Sequence, residues 1–167
     1  VAPNESELAG MAGVKSVETD EDIVSAARSV IGNTRVKMLC TLGARGAMLV
    51  YPGTNGEVIR VDAAPLPKGS KEVDATAAGD AFRAAFAVGL SEGKSERDAM
   101  RFAAAAGALT VTKIGAMPSL PTRSEVDVVL GEESASVGKP RKARNQGARA
   151  PLRFASRLNS MKARQDL

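Results

Sequence analysis

The stretch VDATAAGDAF, residues 73–82, sets two carboxylates, Asp74 and Asp80, on either side of a run of very small residues. It lies directly ahead of a helical pattern in which Phe82, Phe86 and Leu90 recur every fourth residue. The first N–H groups of a helix lack intrahelical partners and carry the positive end of its dipole. Here they meet Ala77, Ala78 and Gly79, which have no bulk to keep an anion away from the backbone. Asp80 then has two readings. Acids are common in a first helical turn and stabilise it without further purpose. An acid beside an anion site can also take the proton of an attacking hydroxyl that lies within hydrogen-bonding reach.

On either side of this stretch the chain alternates helical and extended patterns. Asn4 with Glu7 starts a short helix through NESELAGMAG, and Thr19 with Asp22 starts a second. In the second, Ile23, Ala26, Ala27, Val30 and Ile31 make one apolar face, and Gly32-Asn33 end it. RVKMLCTLG reads as a buried strand, and GAMLVYP and GEVIRVDA as a hairpin around a Pro-Gly-Thr-Asn-Gly turn. Short extended pieces are expected at Val1 and Val73, and PLPKGSKE is a loop. After the helix from about Asp80, Ser95 with Asp98 caps an Ala-rich helix to about Thr112. KIGAMPSLP is loop, and Thr122 with Glu125 caps a last helix ending near Gly131. Mixed helices and strands predict an α/β layer architecture. The strands are few for a parallel sheet, which needs several strands and two covered faces.

Composition narrows the chemistry. A chain of 167 residues can bury one sizeable core. It has no histidine, which excludes His-based triads and His-ligated metals. Its one cysteine, Cys40, forms no internal disulfide, lies in an apolar run and reads as an inert buried thiol in a reduced, cytoplasmic setting. No apolar run is long enough to span a membrane, and no membrane partner is expected. The net charge of +4 is uneven: residues 132–167 hold nine Lys/Arg against three Asp/Glu. Residues 132–150 read as disordered, and PLRFASRLNSMKARQ as a weak basic amphipathic helix. Basic residues attract phosphates, but this tail has one aromatic, Phe154, and no nucleic-acid motif, so no nucleic-acid partner is expected.

VDATAAGDAF resembles the C-terminal signature D-T-x-[AG]-G-D of the ribokinase/PfkB family of carbohydrate kinases. APNESE resembles the family's N-x-x-E motif, and CTLGARGAMLV its strand and nucleotide-binding turn. RFAAAAGALTVTKIGAMPSLPT resembles the late helix and monovalent-cation loop, most closely in the ribokinase branch. These motifs cover about residues 1–130 in family order. The resemblance implies a ribokinase-like three-layer αβα fold, of which this chain is the C-terminal half, without the N-terminal strands and β-lid. Residues 1–131 would be its nucleotide-binding and catalytic part and 132–167 a basic tail.

The resemblance also implies roles. Asp80 would be the catalytic base on the sugar hydroxyl, with Ala77, Ala78 and Gly79 as the anion hole for the γ-phosphate. Asn4 would contact ATP phosphates, and Glu7 would place Mg2+ through water. Thr41, Leu42, Gly43, Ala44, Arg45 and Gly46 would wrap the nucleotide. Asp74, Thr76, Thr110, Lys113, Gly115 and Ser119 would hold K+. Each residue also has a plain reading. Asn4 and Glu7 make a capping box, Gly43 and Gly46 are turn glycines, Lys68 and Lys71 are solvated, and the 113–119 loop has no distinctive side chain. Two positions depart from the family pattern: Ala75 stands where Thr is usual, and Ala104 where His or Asn often lies beside the adenine.

The implied activity is transfer of the ATP γ-phosphoryl group to O5 of D-ribose, with ATP, Mg2+ and K+ required, and dimerisation through the lid of a complete protein. Another sugar or nucleoside of the family, such as fructose, is the alternative acceptor. A non-catalytic fragment that at most binds nucleotide is the alternative function.

Overall fold

The structure, a computed structural model, describes residues 1–53 and 56–137. Asn4 caps α1 (Glu5–Ala12): its Oδ1 accepts the Glu7 N–H at 2.8 Å, and Glu7 Oε2 accepts the Asn4 N–H at 2.8 Å. Thr19 and Asp22 repeat this reciprocal device at α2 (Asp20–Ile31). In α2 the residues Ile23, Ala26, Ala27 and Ile31 are buried, the face that the helical period predicts.

Three strands follow: β1 (Met38–Thr41), β2 (Ala47–Val50) and β3 (Val58–Val61). They form an antiparallel sheet in the order β1-β2-β3, with Cys40 opposite Met48 and Met48 opposite Arg60. Residues 1–4 run alongside β1 in the parallel sense. The Leu39 N–H donates to the Val1 carbonyl at 2.9 Å, the Thr41 N–H to that of Pro3 at 3.0 Å, and Asn4 bridges Thr41. The extended piece expected at Val73 does not join the sheet. The Val73 and Asp74 N–H groups both donate to the Val111 carbonyl instead.

The alternation of side chains along each strand divides the core. Met38, Cys40, Met48 and Val50 face one way, onto Leu8 of α1 and Ile23 and Ala27 of α2. Leu39, Ala47, Leu49, Ile59 and Val61 face the other way, into a cluster with Phe82, Met100 and Phe102. This second side is built by α3 (Ala78–Ser91), α4 (Glu96–Thr110) and α5 (Arg123–Val137). The layers are therefore two helices, a sheet and three helices, as expected for an αβα fold.

With few aromatics, small residues bring the helices together. Ala103, Ala104, Ala105 and Ala106 are all buried in α4, and a methyl group on Gly89 would lie 3.1 Å from Ala99 Cα. Leu8 and Ile23 are fully buried, each contributing roughly 2 kcal/mol of transfer free energy. Helix α5 runs past the expected end at Gly131 to Val137. One glycine costs a helix about 1 kcal/mol, which does not stop it where no proline follows directly. Residues 132–137, expected to be disordered, therefore belong to this helix; the rest of the basic tail, 138–167, with the disorder and amphipathic helix expected there, lies outside the described residues. Among the described residues, no helix is long and apolar enough to cross a membrane.

Candidate functional site

The edge segment 1–4 delivers Asn4 and the start of α1 to the C-terminal end of β1, and the turn after β1 lies beside them. Across from both stands the start of α3. These three pieces line a cavity of about 840 Å³, large enough for a nucleotide.

Helix α3 begins without a side-chain cap. Its N-cap, Ala77, sits in the left-handed region at φ 63, and is the one non-glycine residue there among those described. An alanine costs about 1 kcal/mol in that conformation, and its small side chain keeps the helix end open. The Ala78 N–H is turned back to the Ala75 carbonyl at 3.2 Å, so this member of the expected anion hole does not offer a donor. The free N–H groups at this end belong to Ala77, Gly79 and Asp80. The Asp80 carboxylate is 76% exposed and stands on the cavity, reachable by a substrate.

Of the turn after β1, Thr41, Gly43, Ala44 and Gly46 line the cavity and two expected contacts do not. Leu42 is buried with Leu8 and Cys40, and its backbone closes the turn through Gly46 and Arg45. Arg45 points away, to Glu5 at 2.5 Å and Asp20 at 3.4 Å. The alternation that brings Thr41 to the cavity sends its neighbour Leu42 into the core, and Arg45 pairs with two acids of the α1 and α2 starts. Gly46 has φ 91, and a Cβ there would lie 2.1 Å from the Val61 carbonyl oxygen. Its lack of a side chain lets the turn press against the end of β3.

The other end of the cavity is apolar. Ala64 and Leu66 from the loop after β3 face Ala104, Ala108 and Val111 of the α4 end. Ala104 was expected from the sequence. Its partners were not, although Ala104, Ala108 and Val111 share one helical face and that period was available. Lys68 and Lys71 in the loop are exposed, as expected of solvated residues.

The expected cation loop is tied to the signature turn. Asp74 Oδ1 accepts the Thr76 N–H at 2.9 Å and its Oδ2 the Gly115 N–H at 2.9 Å. Hydrogen bonds from Thr76, its hydroxyl first, and from Gly115 hold the Asp74 carboxyl below its ordinary range. Thr110 and Ser119 are fully buried, and their hydroxyls donate to Ala106 at 2.9 Å and Ala116 at 2.7 Å. The Lys113 ammonium turns away to Glu125 at 3.1 Å. Among the described residues, no three His, Cys, Asp or Glu side chains converge on one point. Cys40 is fully buried, and burial pushes its thiol up to about 11, as befits an inert core residue.

Sequence reasoning missed Arg83. From the second turn of α3 its Nε donates to the Ala2 carbonyl at 2.8 Å, its Nη2 to Glu7 at 3.2 Å and its Nη1 to Asp80 at 3.3 Å. It thus joins the two acids expected to do separate work. Only its spacing three residues after Asp80 could have marked it.

Known proteins resemble this chain in sequence and in fold. The chain is 39% identical over 126 residues to ribokinase of Arabidopsis thaliana, an overlap of 75% of this chain and 32% of that protein. It is 38% identical over 128 residues to ribokinase of Haemophilus influenzae, covering 75% of this chain and 38% of the relative. The structure of Arabidopsis thaliana ribokinase complexed with ribose and ATP superposes with a TM-score of 0.69 at 39% identity, over 77% of this chain and 39% of that one. Ribokinase from Thermotoga maritima gives 0.66 at 36% identity, over 78% and 41%. The chain spans about a third to two fifths of the length of these relatives. Residues 1–123 match the pfkB family of carbohydrate kinases. This match along most of the chain places it in the pfkB carbohydrate kinase family.

Proposed function

We propose that this chain forms the nucleotide-binding and phosphoryl-transfer part of an ATP-dependent sugar kinase of the ribokinase type. It moves the γ-phosphoryl group of ATP to the O5 hydroxyl of D-ribose. The observation that carries the reading is the single cavity that joins the free N–H groups opening α3, the exposed Asp80 and an apolar wall. The ribose assignment draws on the ribokinases described above.

ATP lies with its base against Ala64, Ala104 and Ala108 and its phosphates toward Asn4 and the start of α3. The 41–46 turn, through Thr41, Gly43, Ala44 and Gly46, borders the middle of the nucleotide. Asp80 takes the O5 proton as O5 attacks the γ-phosphorus, the bond to the bridging oxygen breaks, and ADP leaves. The N–H groups of Ala77 and Gly79 face the charge that builds on the transferring oxygens. Asn4 spends its Oδ1 on the helix cap and keeps its Nδ2 for phosphate. Glu7 has Oε2 occupied by Asn4 and Arg83 and Oε1 open, which suits water-mediated hold of Mg2+. That ion supplies charge neutralisation on the phosphates when bound.

For K+, the fit rests on oxygen donors. Asp74 is a single carboxylate with lone pairs beyond its two N–H bonds, and the family resemblance adds the neutral oxygens of Thr76, Thr110, Lys113, Gly115 and Ser119. One acid among neutral oxygens suits a monovalent ion better than a divalent one. Its effect would be to set the turn that carries residues 77–79.

The test is Asp80→Asn in the protein that carries this chain, with ribose-dependent ADP release and Mg-ADP affinity both measured. Turnover is expected to fall about 100-fold or more with affinity nearly unchanged. Undiminished turnover would leave Asp80 as a first-turn acid and overturn the reading.

A further inference from the structure

Among the described residues lining the cavity, the carboxylates are Glu5, Glu7, Glu72 and Asp80, and Arg83 is the one cation. Arg45 is not among the lining residues and is engaged with Glu5 and Asp20. A polyphosphate entering this acidic opening meets repulsion that a single well-placed guanidinium must offset.

The placement of Arg83 is specific. A Cβ on Gly79 would lie 3.9 Å from Arg83 Nη1, so the guanidinium rests over the backbone whose N–H groups open onto the cavity. Its Nε is anchored on the Ala2 carbonyl at 2.8 Å, which fixes the plane of the group. The two remaining nitrogens reach Asp80 and Glu7 at 3.3 and 3.2 Å, and those carboxylates are 76% and 54% exposed. Exposed pairs of this length contribute little and exchange readily. A phosphate, by contrast, matches the guanidinium fork with two parallel charge-assisted bonds. Three of the five N–H donors are in use, which leaves others for an incoming oxygen.

We propose that Arg83 is a ligand of the terminal phosphoryl group of the nucleotide. In the open cavity it bridges Glu7 and Asp80. When the phosphoryl group arrives, the Nε anchor on Ala2 holds and the Nη donors pass to it, freeing Asp80 for the acceptor hydroxyl and Glu7 for the metal side. The sequence position alone does not suggest this, because Arg83 and Glu7, 76 residues apart, meet only where their side chains reach each other from α3 and α1. The proposal rests on the kinase reading above, and the experiment separates the two.

Mg-ADP and the Mg complex of β,γ-imido-ATP are titrated calorimetrically into the full chain, unaltered and as Arg83→Gln and Arg83→Lys. Arg83→Gln is expected to lose about tenfold more affinity for the imido nucleotide than for ADP, the size of one charge-assisted contact. Arg83→Lys, a point charge without the fork, should show a smaller selective loss of about threefold. Retained ADP affinity reports that each variant is folded, and if Arg83→Gln fails to fold, the selective loss in Arg83→Lys decides alone. Equal losses for both nucleotides, or none, overturn the Arg83 proposal while the kinase reading stands. An unaltered chain that binds neither nucleotide overturns both.

Discussion

Asp74 Oδ2 accepts the N–H of Gly115 at 2.9 Å across 41 residues of sequence. Its other oxygen holds the Thr76 N–H at 2.9 Å, so one carboxylate fastens the turn before α3 to the loop after α4. Asp74→Ala removes both acceptors. The expected result is a melting temperature lower by about 3 °C, together with weaker nucleotide binding, because the turn carrying residues 77–79 loses its brace. Thermal unfolding and Mg-ADP titration of the variant check it. Unchanged values in both would mean that the turn is held by Val111 alone.

Gly46 is a backbone requirement. Its φ of 91 suits glycine, and a methyl group would meet the Val61 oxygen at 2.1 Å and the Ala63 nitrogen at 2.6 Å. Gly46→Ala is expected to cost about 3 kcal/mol in urea unfolding. Gly43, at φ 52 with open space around it, carries only the conformational part, so Gly43→Ala should cost about 1 kcal/mol. Equal costs at the two positions would refute the close-approach argument.

Glu125 gives the fold an acid-side dependence. The Thr122 N–H donates to its Oε2 at 2.6 Å, and the Lys113 ammonium lies 3.1 Å from its Oε1. The Thr122 backbone bond, followed by Lys113 and the Thr122 hydroxyl, lowers its carboxyl from 4.5 to about 2. A carboxylate more acidic in the folded state stabilises the fold above its unfolded pKa and loses that contribution as pH falls through the folded one. The contribution is therefore complete above about pH 5 and declines toward pH 2. Melting temperatures across this window should fall less steeply for Glu125→Gln than for the unaltered chain. Parallel curves would assign the acid loss to other carboxylates.

Helix starts were legible because they are local. Asn4 with Glu7 and Thr19 with Asp22 act within four residues, and the structure contains both capping boxes. The buried strand β1 and the β2–β3 hairpin followed from apolar patterning in the same way. Leu42 shows the limit. Its place inside a nucleotide-turn motif suggested a contact, but burial beside Leu8 decided its direction. The end of α5 was misjudged for a related reason: a single glycine weakens a helix by less than its neighbours and packing can supply.

Most helix starts, the three sheet strands, the absence of histidine and the small residues before Asp80 can be read from the chain alone. These depend on side-chain type over a few residues. The meetings of Arg83 with Glu7, 76 residues away, of Asp74 with Gly115, and of Ala104 and Ala108 with Leu66 along one wall belong to the folded molecule. Such contacts depend on how α1, α3 and α4 settle against opposite faces and one end of the sheet. That arrangement is set by the summed burial of the core, which no short stretch of sequence contains.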